Sequence, residues 1–229
     1  MRPGEGSIAL VTGGARGLGV EVCRQLARAG LTVWLTARDG ERAADAAAAL
    51  SGDGDVRPAL LDVADPGGAA RLADRMPRLD VLVNNAAIDY DADQQALTAD
   101  LDRVERALGT NLFGAWRTAQ AFAPHLRSSP HGRLVNVSSE GGSVASSAGG
   151  LPAYHLSKLA LNGLTRMLAA ELSADDVLVN AVCPGWTATD MGGGGRPVPE
   201  GARSVTWACL LDDGGPTGGF FRDGRPLPW

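Results

Sequence analysis

The sequence is 229 residues long, enough for one sizeable α/β domain with little room for a second. Hydrophobic residues at 45% and charged residues at 21% are ordinary globular proportions, which excludes collagen-like, coiled-coil and disordered chains. With a formal charge of -5, scattered arginines, no apolar run near the roughly 18 residues of a bilayer span and no signal-peptide architecture in Met1–Ser7, a cytoplasmic protein bound to neither nucleic acid nor membrane is expected.

In chain order, Ile8–Thr12 is a short apolar run ending in a glycine-rich turn, and Leu18–Ala29 is an amphipathic helix that stops at Gly30. Leu31–Ala37 reads as a second strand, after which Asp39 can cap a helix over Glu41–Leu50. Strand Val56–Leu61, helix Gly67–Met76 and strand Val81–Asn84 continue the alternation of a parallel sheet whose strands are buried on both faces. Leu97–Leu126 reads as one long helix through Asn111, followed by strand Leu134–Ser138, helix Tyr154–Leu172 and strand Val177–Cys183. Four consecutive glycines at 192–195, then Pro197 and Pro199, exclude regular structure, so 190–202 is expected to be a flexible loop on the substrate side. Arg203–Leu211 is a last helix and Gly218–Arg222 an edge strand. The whole, residues 1–229, is a single doubly wound sheet with its ligand crevice beyond the carboxyl ends of the strands.

Cys23, Cys183 and Cys209 are far apart and form no CxxC, and His125, His131 and His155 share no ligand spacing, so neither disulfides nor a metal site are expected. The first turn, Thr12-Gly13-Gly14-Ala15-Arg16-Gly17-Leu18-Gly19, sets glycines 13, 17 and 19 between a strand and a helix. There a pyrophosphate can approach the unpaired N–H groups of the helix start. At the end of the second strand, where a carboxylate would hold a ribose 2′-hydroxyl, stand Ala37 and Arg38. Arg38 and Arg16 suit a 2′-phosphate, which favours NADP(H); in the alternative, Arg38 and Arg42 are solvated residues and Asp39 serves the ribose rather than its helix.

Arginine occurs twenty times and lysine once, as Lys158, four residues after Tyr154 and on the same helix face. A compact cation beside a phenol lowers its pKa toward the working range, so that Tyr154 can exchange protons with an alcohol or carbonyl. The plain alternative is a buried tyrosine beside a snorkelling lysine. Ser138 and Ser139 end a strand at the crevice, where a hydroxyl could bind a substrate oxygen; without a suitable His and acid, or a G-x-S-x-G elbow, neither is a hydrolase nucleophile.

Together with Asp62-Val63, Asn84-Asn85-Ala86-Ala87, Asn111 and Pro184-Gly185, these motifs resemble the short-chain dehydrogenase/reductase family over nearly the whole chain. Leu35–Asp39, Pro184-Gly185-Trp186, Thr189-Asp190-Met191 and Gly218–Phe221 are similar to its NADPH-dependent carbonyl reductases. The resemblance implies a Rossmann-type sheet of about seven strands in the order 3-2-1-4-5-6-7 with helices on both faces. It implies Tyr154 as proton donor, Ser139 orienting the carbonyl with Ser138 as fallback, and Asn111 holding a relay water through Lys158. For the cofactor it implies the turn from Gly13 through Arg16, Gly17, Leu18 and Gly19, and Asp62 on adenine with Val63 beside it. Asn85 and Ala86 would lie at the ribose, and Pro184, Gly185, Trp186, Thr187 and Thr189 at the nicotinamide amide. The implied activity is NADPH-dependent reduction of a ketone or aldehyde, the alternatives being epimerisation, dehydration or alcohol oxidation by the same pair, or a silent NADP(H)-sensing module. A homodimer or homotetramer through the helices at 97–126 and 154–172 is implied as well. Ala87 stands where relatives carry glycine, the Ser139–Tyr154 gap is two residues longer than the commonest one, and the segment after Met191 is short and glycine-rich, which leaves an open pocket.

Overall fold

Apolar β-branched segments separated by amphipathic ones pair in parallel, with the helices covering both faces. The computed structural model describes all 229 residues. Strands β1 (Ile8–Val11), β2 (Thr32–Ala37), β3 (Val56–Leu60), β4 (Val81–Asn84), β5 (Arg133–Val137), β6 (Leu178–Val182) and β7 (Phe220–Arg222) are parallel, in the order β3-β2-β1-β4-β5-β6-β7, and β8 (Arg225–Pro226) adds antiparallel to β7. This is the expected doubly wound sheet. On one face α1 (Gly17–Arg28), α2 (Gly40–Ala48) and α7 (Val198–Cys209) pack Val22, Leu26, Ala43, Val205 and Ala208 over β1, β4 and β6. On the other, α3 (Gly68–Ala73), α5 (Ala115–Arg127) and α6 (Pro152–Glu171) contribute Leu72, Phe122, Leu126, Leu161 and Leu164.

The differences from expectation have local causes. The β3 strand is the outer one, paired on a single side, so it is not buried on both faces: Leu60 is 64% exposed and Arg57 pairs with Asp55 in solvent. The long helix over 97–126 is broken. Asp100 accepts from the amides of Asp102 and Arg103 and starts α4 (Leu101–Leu108), and a π-helical turn at Gly109–Gly114 separates α4 from α5. The last helix begins at Val198 rather than at Arg203, so residues 198–202 of the presumed loop are helical. Pro199 sits in its first turn, where a missing N–H costs nothing. Nor is β7 the sheet edge, because Asp223 and Gly224, both with positive φ, turn the chain back into β8. No helix is long and apolar enough to cross a membrane.

Buried polar contacts fix α5 and α6 to the carboxyl end of the sheet. Asn84 on β4 donates to Asn136 on β5 at 2.9 Å and accepts from Thr118 on α5, while Asn136 donates to Thr165 on α6 at 2.9 Å. Each group is satisfied by another, which defines one arrangement of these elements. It holds the helix that carries Tyr154 and Lys158.

Candidate active site

The glycine-rich turn is braced from the neighbouring strand. Thr12 Oγ1 accepts from the amides of Asn85 and Ala86, each at 3.0 Å, and the Asn85 side chain donates to the carbonyls of Thr12 and Gly13 at 2.9 and 3.1 Å. Asn85 therefore shapes the turn from behind. Gly13 and Gly17 have φ of 63° and 53°, which L residues with side chains rarely adopt. A Cβ at Gly17 would meet only Thr189, at 3.5 Å, whereas a Cβ at Gly19 would collide with the Gly13 carbonyl and the Asn85 amide. The helix start is thus open to a ligand at Gly17, and Gly19 is needed for close packing.

Around that turn, Arg38 is exposed at the carboxyl end of β2 with no ion-pair partner, and Arg16 lies 3.9 Å from Asp190. Asp39 caps its helix, Oδ1 accepting from the amides of Glu41 and Arg42, while Oδ2 lies 3.5 Å from the Arg42 guanidinium. Asp62 is exposed after β3 and accepts from the Ala64 amide. Val63 instead sends its side chain into the core, so it presents only backbone to the cleft.

The segment after β6 folds back on itself. Thr187 is buried and its hydroxyl donates to the carbonyls of Pro184 and Gly185, while Thr189 reaches the glycine-rich turn beside Gly17. Trp186 is 68% exposed and its indole N–H donates to Gly192 O at 2.9 Å, so it braces the four-glycine run.

Ser138 and Ser139 have separate fates. Ser138 is buried and its hydroxyl donates to Asn162 Oδ1 at 2.6 Å, leaving it to hold α6 against β5. Ser139 Oγ accepts from the Gly141 amide at 3.2 Å and stands close enough to the Tyr154 phenol to draw its pKa down. Lys158 is buried, donates to the Val137 carbonyl at 2.7 Å, and lies 5.6 Å from the Tyr154 ring centroid. Asn111, in the π-helical turn, donates to Ser157 Oγ at 2.9 Å and to the Ile88 carbonyl at 3.1 Å, and accepts from the Ile88 amide at 2.9 Å.

The electrostatics differ from the sequence expectation. Burial pushes the Tyr154 phenol above its ordinary range, Cys183 and Tyr90 push it the same way, and the Ser139 hydroxyl only partly opposes them. Burial also lowers Lys158 to about 8. With the lysine's hydrogen bond given to a backbone carbonyl, burial governs the phenol, whose shift is upward rather than the expected downward one. Residues with no local motif complete the site: Tyr90 packs its ring edge-on against Tyr154 with centroids 5.2 Å apart, and Asp91 binds the first turn of α6.

A family model described as short chain dehydrogenase matches residues 7–197. The chain belongs to the short-chain dehydrogenase/reductase family. As a member it is an oxidoreductase of the kind that acts on alcohol and carbonyl groups. It is 33% identical to short-chain dehydrogenase/reductase 1 of Saponaria officinalis over 96% of its own length and 95% of that relative's. It is 34% identical to carbonyl reductase (NADPH) 3 of Mus musculus over 97% and 98% of the two. Among solved structures, the NADP active-site complex of RhlG from Pseudomonas aeruginosa matches with a TM-score of 0.84 at 32% identity, covering 96% of each chain.

Proposed function

We propose that this short-chain dehydrogenase/reductase reduces a ketone or aldehyde with NADPH, Tyr154 donating the proton. The observation that carries the reading is Tyr154, half-buried with its ring centroid 5.6 Å from the Lys158 ammonium and Ser139 beside its phenol, at the same sheet edge as the open glycine-rich turn. A neutral phenol can donate the proton that carbonyl reduction requires, and the phenolate it leaves is the base of the reverse reaction. Ser139 and Tyr154 would both donate to the carbonyl oxygen, and Tyr154 would quench the alkoxide as it develops. Bound NADPH supplies the hydride to the carbonyl carbon.

The residues present fit that cofactor. Gly17 leaves the helix start accessible, Asp39 caps its helix and lies against Arg42, and Arg38 stands without an ion-pair partner at the end of β2, where it can meet a 2′-phosphate. RhlG with NADP and the NADPH carbonyl reductase of mouse, as relatives, support the same choice. Arg38→Asp is expected to weaken NADPH binding about 10- to 100-fold and to bring NADH level with it or ahead, measured by titrating both cofactors. Unchanged preference would remove Arg38 from phosphate recognition.

The experiment for the activity is a panel of ketones graded in size, read by NADPH oxidation. Turnover of bulky ketones is the expected result, since the glycine run at 192–195 brings no side chains to the pocket. Sharp preference for the smallest ketone would contradict an open pocket, and no oxidation with any member would contradict the activity. We also infer that two or four copies pair through the helices at 97–126 and 154–172, where α4 exposes Leu101, α6 exposes Leu156 and Met167, and Phe113 is exposed in the turn between α4 and α5. Light scattering is expected to give twice or four times the chain mass, and a monomer would refute the pairing.

A further inference from the structure

The carboxylate of Asp91 is fully buried and has no ion-pair partner, an arrangement that is costly unless its oxygens are otherwise engaged. They are engaged by α6: one accepts from the Ala153 amide at 2.8 Å, the other from the Tyr154 amide at 3.1 Å. The helix provides no cap of its own. Leu151 at its start has a left-handed φ of 54° and no side-chain hydrogen bond, and Pro152 has no N–H to satisfy. Asp91 therefore serves the two free donors of this helix start, where the backbone dipole also favours a negative charge.

The opposite side of the same residue is held as well. The Tyr154 carbonyl accepts from Ser157 Oγ at 2.7 Å, Ser157 Oγ accepts from Asn111, and Asn111 holds both backbone groups of Ile88, three residues before Asp91. Between Ile88 and Asp91, Tyr90 lays its ring edge-on against the Tyr154 ring. The loop after β4 thus holds Tyr154 directly at its N–H and its ring, and at its carbonyl through Asn111 and Ser157.

We propose that Asp91 is a positioning residue of the reaction, which with Asn111 fixes the Tyr154 backbone so that the phenol stays aligned with Ser139 and Lys158. The proposal rests on Tyr154 being the proton donor. Asp91→Asn keeps the size of the side chain but turns one acceptor into a donor facing a backbone N–H. It is expected to lower kcat about 10- to 100-fold while the ketone KM and the NADPH affinity stay within about threefold of wild type, because a small displacement of a reacting group costs rate rather than binding. A folded variant with kcat within about twofold of wild type would overturn the proposal, as would a loss carried by KM or by NADPH affinity.

If Asp91→Asn fails to fold, amide exchange in the wild-type protein decides. Ala153 and Tyr154 are first-turn amides, which exchange fast when only water caps them; protection equal to that of the interior of α6 is expected, and fast exchange would overturn the clamp. Should the wild type reduce no ketone, the reading of Tyr154 falls, and the exchange measurement still judges the clamp separately.

Discussion

Tyr154→Phe is expected to lower kcat for ketone reduction about a thousandfold, within the range general acid catalysis contributes. The substitution removes one oxygen and little else. The ring keeps its edge contact with Tyr90 and its place beside Lys158, so the fold should persist. NADPH affinity, measured by fluorescence titration, is expected to change by less than about threefold, because the loss falls on the transition state and not on cofactor binding. Near-wild-type turnover would remove Tyr154 from the chemistry, and loss of NADPH binding together with turnover would assign it to the cofactor instead.

Lys158→Met is expected to move activity and stability in opposite directions. The ammonium is buried and its pKa falls from 10.5 to about 8 on folding, so the folded state carries a penalty that is fully present below about pH 8. The penalty is relieved as pH rises from about 8 to 10.5, where the folded chain has lost the proton and the unfolded chain still binds it. At pH 7 its size is on the order of 3 kcal/mol, offset by about 1 to 3 kcal/mol because the buried Val137 carbonyl loses its donor. The methionine variant without cofactor should therefore be more stable than wild type at pH 7 by up to about 2 kcal/mol, read as a higher Tm, with the gain fading between about pH 8 and 10.5. Its turnover should fall by at least about a hundredfold, since the phenol loses the charge beside it. A variant that is less stable at pH 7, or one that turns over normally, would contradict this account of the lysine. In the wild type, reduction is expected to decline above about pH 8 as the ammonium is lost.

What the sequence made legible was local. The glycine turn, the spacing of Tyr154 and Lys158, and the alternation of strands and helices each lie within a short stretch, while the sheet order, as observed, is the one the family resemblance implies. Contacts made across the chain were not legible. Asp91 reaches Ala153 over 62 residues and Asn85 reaches Thr12 over 73, and no spacing rule connects either pair. The choice between Ser138 and Ser139 depended on Asn162, which takes up the first hydroxyl from a different element. The direction of the Tyr154 shift was not legible for a related reason: the cation is near in sequence, but the burial that sets the shift comes from the tertiary fold, with Cys183 after β6 and Tyr90 in the loop after β4 adding to it. Two signals were present and were not used. Asp223-Gly224 is a hairpin turn in its own right, and Pro199 starts a helix as readily as it ends a loop.

Hydride is expected to pass from the reduced cofactor to a carbonyl carbon while Tyr154 supplies the proton. The decisive experiment incubates the enzyme with a ketone and NADPH deuterated at both C4 positions and weighs the product by mass spectrometry. An alcohol with one deuterium on the carbinol carbon and a matching loss of NADPH is expected. An epimerised or dehydrated product free of deuterium, formed with no net consumption of cofactor, would contradict it.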